Sequence, residues 1–248
     1  MRAFPPIEAR RGAWGRTWWA KAWLRGVEEA AFSDTDLTLA RRLARSGVIG
    51  GIVVGPGQVV AAVPDRRGIV TGASRGLVTV EVRVPAFDDE ARAAFAEAAA
   101  AASGRVAALL GGELPHDLVE AAEELGAELV PYGTELECRC TCVGWLDPCP
   151  HALAVLCQVT WLVEHEPLLL LLLRGVDREE LLDRVAALTA RRAPDVPVLP
   201  GVGWEEGEPE AAADLETDLD LAEAALHAAR DLLAQLAAEE HREEAPGG

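Results

Sequence analysis

At 248 residues the chain can bury a substantial core, and a composition half apolar and about a quarter charged excludes a wholly disordered protein. A formal net charge of −18 repels nucleic acid at long range unless the positive charge is segregated. It is segregated: residues 1–70 hold eleven Arg and Lys against six Asp and Glu, so the basic end is the only phosphate-facing surface the sequence offers.

Met1 to Arg11 carries two prolines and three arginines but no hydrophobic run, so no secretory signal is read there and a cytoplasmic location is expected. From Ala13 to Ala31, Trp14, Trp18, Trp19 and Trp23 recur at helical spacing with Arg16, Lys21 and Arg25 between them. Large rings so spaced belong in a core, and base stacking beside the arginines is the sharper alternative. After a polar stretch at Ser33 to Asp36 come Arg41, Arg42 and Arg45, and the helical pattern gives way at Ser46-Gly47.

Ile52 to Val54 and Val59 to Val63 are β-branched runs joined by Gly55-Pro56-Gly57-Gln58, which reads as a hairpin. Beyond a Gly-rich loop, Val78, Val80, Val82 and Val84 alternate with Thr79, Glu81 and Arg83, the period of a strand with one wet face. An Ala-rich helix is predicted from Asp88 to about Ala102. A second, near Leu114-Pro115, carries Val119, Ala122 and Leu125 on one face.

Beyond a cysteine cluster, Pro150 to Val163 reads as an apolar helix and Leu168 to Leu173 as a buried helix or a surface kept for a partner. Glu164, His165, Glu166 and Pro167 break the apolar run Ala152 to Leu173 into pieces well short of the ~20 residues a bilayer requires, so no membrane span is predicted. Asp177-Arg-Glu-Glu180 reads as a capping box opening a helix to about Arg192. Asp195 to Gly207 is rich in Pro and Gly and reads as a linker, and Asp214 to about Glu240 as an acidic helical tail: a solvated face, a docking helix or a mask over the basic end. The expected fold class is α+β, with an N-terminal helix and a small antiparallel sheet, a metal-binding turn and a helical C-terminal half. The expected divisions are 1–112, 113–192 and 193–248.

The chemistry concentrates in Cys138-Arg-Cys140-Thr-Cys142-Val-Gly-Trp145-Leu-Asp147-Pro148-Cys149-Pro150-His151. Four of the five cysteines fall in this short run, too clustered to staple the chain as disulfides. Three thiolates and an imidazole satisfy a tetrahedral Zn2+ without the open position a catalytic zinc keeps, so one structural zinc is expected. In that arrangement the two early cysteines sit on a turn, Trp145 packs beneath it, and Pro150 suits the first turn of the following helix. A redox pair usually has two intervening residues in a βαβ context, and a nucleophilic cysteine needs a partnering base; neither signature is present. Spacing alone leaves Cys138 open as a ligand in place of Cys140 or Cys142.

The run Cys140-Thr-Cys142 through Trp145, Pro148, Cys149 and His151, followed by Ala152 to Leu156, resembles the SWIM-type zinc finger, with its C-x-C, variable spacer and C-x-H. Gly15-Arg-Thr-Trp18-Trp19-Ala-Lys-Ala-Trp23, Ala44-Arg45-Ser46-Gly47 and Leu173-Arg174-Gly175 through Glu180 are likewise similar to bacterial, mainly actinobacterial, SWIM zinc finger proteins, a likeness covering about residues 12 to 190. The resemblance implies Cys140, Cys142, Cys149 and His151 as ligands. It also implies a protein-interaction or DNA-binding role, with a helicase-like ATPase as the kind of partner. The chain departs from that pattern at Pro150, where relatives often carry a basic residue, and at Val143-Gly144, where they have Pro-Asp. Two functional expectations follow: a non-catalytic adaptor for a protein partner, or direct nucleic-acid binding through Arg16, Lys21, Arg25, Arg41, Arg42 and Arg45. A cysteine-dependent enzyme is the third and weakest reading.

Overall fold

The computed structural model describes residues 1–65, 76–142 and 146–192. The predicted Gly-rich loop, Trp145, the Pro/Gly linker and the acidic tail lie mainly or wholly outside them. Among the described residues the chain is α+β, with eight α-helices and a five-stranded antiparallel sheet in the order β1-β2-β3-β4-β5. The strands are β1 Arg2–Phe4, β2 Ile52–Gly55, β3 Gln58–Pro64, β4 Leu77–Arg83 and β5 Glu137–Cys140. The helices are α1 Trp18–Ala30, α2 Asp34–Arg45, α3 Asp89–Ala100, α4 Ser103–Leu110, α5 His116–Glu124, α6 Pro150–His165, α7 Leu168–Leu173 and α8 Arg178–Arg192.

The hairpin forms as read, with Gly55 paired to Gln58 across Pro56-Gly57 and Ile52 opposite Ala61. Alternation then places Ile52, Val54, Val59, Ala61, Val63, Val80 and Val82 on the covered face, while Thr79, Arg83, Glu137 and Arg139 stand on the wet one. β1 and β5 were not foreseen. Both are short and take their conformation from a neighbour's free edge: Arg2 pairs with Val54, and Cys138 and Cys140 pair with Val82 and Val80.

α6 is the central helix of the unit Met1–Pro194. Thirteen of its sixteen residues are buried, and it packs against α1, α2, β4 and β5. The α1 tryptophans are core, as large rings at that spacing dictate. The indole N–H groups of Trp19 and Trp23 donate to the α6 carbonyls of Val163 (2.8 Å) and Leu156 (3.2 Å), so each ring is buried with its polar atom satisfied. α1 begins later than predicted, at Trp18, because Thr17 caps it by accepting from the Ala20 N–H. Trp14 therefore precedes the helix and stacks on Trp161. Buried Gln158 donates to the Ala44 carbonyl near the end of α2, satisfying an acceptor that the helix leaves open.

Asp88 and Asp177 act as predicted N-caps, accepting from the N–H groups of Ala91 and Glu180. The Glu180 side chain does not close a reciprocal box; it holds Arg92 at 3.0 Å and Arg184 at 3.1 Å instead. Leu168 to Leu173 are buried or half-buried, the first of the two alternatives read for them. Leu125, read on one face with Val119 and Ala122, is 48% exposed while those two are buried, because it is the C-cap of α5.

Residues Met1–Pro194 form one compact unit, so the expected division at 112/113 falls inside it. The reason is topological: β5 and α6, beyond that point, complete the sheet and core begun before it. No single helix among the described residues is long and apolar enough to cross a membrane.

Candidate metal centre

Three pieces of chain converge on one point. β5 delivers Cys140 opposite Val80, and its pairing continues one residue further. There the Thr141 N–H donates to the Thr79 carbonyl at 3.0 Å, and the Thr141 hydroxyl accepts from the Thr79 N–H at 2.9 Å. This anchors the turn that presents Cys142. Cys149 is the N-cap of α6 and Pro150 occupies the first turn, where its missing N–H leaves nothing unsatisfied. His151 follows on the helix, so the first turn of the central helix holds two donors and the end of the sheet holds two more.

Donor atoms of Cys140, Cys142, Cys149 and His151 all lie within 4.8 Å of one another. Cys140 Sγ is 4.0 Å from His151 Nδ1. Tetrahedral zinc, with Zn–S about 2.3 Å and Zn–N about 2.0 Å, sets ligand separations of roughly 3.5–3.8 Å, so contraction by about 1 Å or less completes the site. Three sulfurs and an imidazole suit Zn2+ and other borderline-soft ions and do not suit Mg2+ or Ca2+. The donor set therefore fits one metal ion.

The thiols respond to their closeness. Cys149 is held far below the ordinary thiol range, chiefly by a hydrogen bond from the Cys140 thiol, then by His151, the Ala152 N–H and Cys142, against the opposing effect of burial. Cys140 is pushed the other way by the same bond and by burial. A thiolate at the N-cap is also where the helix dipole favours negative charge.

Cys138 stands apart. It lies two residues back along β5, opposite Val82, is 4% exposed and does not belong to the group of four. Burial, followed by the charges of Asp147 and Cys149, pushes its thiol up to about 12, so it remains a protonated core group. Cys157, within α6, is likewise pushed up to about 12, chiefly by burial.

Sequence reasoning missed Asp65, just after β3. Its Oδ1 lies 3.8 Å from His151 Nε2, with the two side chains 13% and 5% exposed. Since Nδ1 faces Cys140, this carboxylate addresses the other ring nitrogen and favours the tautomer that leaves Nδ1 free for a metal. No spacing rule links positions so far apart; only the return of β3 toward α6 brings them together.

Of the predicted basic residues, Arg41, Arg42 and Arg45 share one groove, and Arg16, Lys21 and Arg25 do not line it. Arg16 is 82% exposed and pairs with Glu164 at 3.5 Å, and Lys21 and Arg25 are exposed on α1. Arg41, Arg42 and Arg45 line a groove on α2 with Arg10 and Arg11, a doublet visible in the sequence but not assigned. The Trp14–Trp161 pair offers no free stacking face: the two rings stack on each other at 4.7 Å, and Arg45 and Arg10 cover their outer faces.

No family model matches the chain, and no solved structure matches it. Over 188 residues it is 31% identical to the uncharacterized protein Rv2102 of Mycobacterium tuberculosis, a match covering 74% of this chain and 65% of that protein. The chain thus spans somewhat less than two thirds of that relative's length, and the relative's name assigns no activity.

Proposed function

We propose that Cys140, Cys142, Cys149 and His151 hold one structural Zn2+ and that the chain is a non-catalytic SWIM-type interaction module. In this reading it serves as an adaptor for a protein partner of the helicase-like ATPase kind. The observation that carries the reading is the convergence of three sulfurs and an imidazole from β5, the following turn and the start of α6.

Four protein donors leave no coordination position for substrate or water, the mark of a structural rather than a catalytic zinc. Three thiolates also over-neutralise the ion, giving a centre of net charge −1 and weak Lewis acidity. With the ion bound, the end of the sheet and the start of the central helix become one rigid face. The helicase-like partner rests on the resemblance in Cys140 to His151 and in the flanking motifs.

Substitution with Co2+ tests the closed site. A tetrahedral three-thiolate spectrum unchanged by azide or cyanide is expected, and a spectrum that shifts with added anions shows an open position and refutes the structural role. Iodoacetamide separates module from enzyme, because the zinc-loaded protein should resist modification at Cys149, whereas fast selective labelling there supports a nucleophile. For the adaptor, size-exclusion chromatography with helicase-like ATPases of the same organism should yield a stoichiometric complex that chelation dissolves. No complex with any of them counts against that partner.

A further inference from the structure

Five arginines from two segments share one groove: Arg10 and Arg11 from the chain before α1, and Arg41, Arg42 and Arg45 from α2, with one threonine and one serine between them. The α2 residues recur at i, i+1 and i+4, so one side of the helix carries them. Gly47 brings the other segment in. Its φ is +70°, and a Cβ there would lie 2.5 Å from the Ala9 nitrogen, so only glycine lets residues 9–11 approach the end of α2. The Arg10 N–H then donates to the Arg45 carbonyl at 3.2 Å.

The guanidinium groups are placed before any ligand arrives. Arg10 lies 4.5 Å from the Trp161 ring centre and Arg45 4.5 Å from that of Trp14, closing an Arg–Trp–Trp–Arg stack, and Arg45 also donates to the Gly12 carbonyl at 2.8 Å. Arg41 is paired with Glu28. Among the described residues Arg11 and Arg42 are exposed and have no hydrogen-bond or ion-pair partner. Concentrated like charge, in a chain whose net charge is −18, is costly unless an anion shares it.

We propose that this groove binds the sugar–phosphate backbone of nucleic acid, through its phosphates and without reading bases. Arginine forks match phosphate oxygens two at a time. The lining contains no apolar side chain, whereas an acidic peptide would be recognised with apolar anchors. The groove holds no aromatic side chain, and Arg45 and Arg10 cover the Trp14–Trp161 pair beside it, so bases find no ring there to stack on, and a duplex, with its denser phosphate charge, is the favoured form. The site does not depend on the metal centre.

The test is fluorescence anisotropy of the full-length, metal-loaded protein with a labelled DNA duplex across a salt series. Saturable binding is expected, with log K falling against log salt at a slope of about −2.7 to −4.5, as for three to five phosphates. R11E/R42E should weaken binding at least roughly sixtyfold at ~0.1 M salt, about eightfold per lost phosphate contact. R178E/R191E makes the same change in net charge on α8, which packs on α3 and α7 and contributes no residue to the groove, and should weaken it less than about fivefold because of screening. Unchanged thermal midpoint and metal content establish that both variants fold; if R11E/R42E does not fold, R11Q/R42Q replaces it. The proposal is overturned by no saturable binding at low salt, by equal losses in the two double variants, by a single strand preferred more than tenfold, or by poly-glutamate binding more tightly than the duplex.

Discussion

Replacing Cys140 with serine removes the donor that joins the Cys/His group to the sheet, since Cys140 ends β5 opposite Val80. What the loss costs depends on what else holds each element. α6 buries thirteen of its sixteen residues and contacts α1, α2 and the sheet, so it stays in place without an ion. Cys142 has less to hold it than Cys149 at the N-cap of α6, because the paired strand ends with the Thr79–Thr141 hydrogen bonds just before it. Structural zinc sites bind with about 10–16 kcal/mol, but the stabilisation seen at ~100–1,000-fold saturation is about 3–4 kcal/mol. For a unit of this size that is a fall of roughly 6–16 °C in Tm, at about 2–4 °C per kcal/mol. The assay is thermal unfolding of wild type and Cys140→Ser in the same zinc buffer, with metal content measured on both. Helical circular dichroism below the transition should be nearly unchanged. A serine variant that keeps a full equivalent of zinc and the wild-type midpoint would refute the reasoning.

Asp65→Ala should weaken zinc binding about 10–100-fold in competition with a chelator, the usual effect of losing an outer-shell carboxylate, and an unchanged Kd removes Asp65 from the site. Cys138→Ala should keep its zinc and lose about 1 kcal/mol or less of stability; loss of the metal places Cys138 among the ligands. Gly133 lies against α1, where an added Cβ would sit 2.4 Å from the Gly26 carbonyl oxygen and 2.6 Å from the Ala30 nitrogen. Gly133→Ala should therefore cost about 1–3 kcal/mol in urea unfolding, and an unchanged midpoint contradicts that close approach.

What could be read from the sequence was local. The hairpin was legible because β-branched runs flank a two-residue Pro-Gly turn, and the long strands because their valines alternate. Pro150 and the apolar run after it announced α6 in the same way. The Cys/His cluster was legible because its five candidate donors, Cys138 included, lie within one short stretch. β1 and β5 were not, since three or four residues carry too little pattern and their conformation comes from Val54, Val80 and Val82 in other strands. That same pairing undid the division at 112/113 and distinguished Cys138 from Cys140, which the spacing left equivalent. Asp65 and the Arg10–Arg11 doublet were hidden for a related reason: each meets its partners only after the chain returns from a distant element. The basic residues chosen from the sequence followed proximity along helices, whereas the fold gathers those of α2 with the chain before α1.

The central claim is most directly tested by elemental analysis of the native protein, purified without added metal. The account predicts one zinc per chain, released by a thiol-modifying reagent together with loss of thermal stability. A protein found free of metal yet fully folded and equally stable would contradict it.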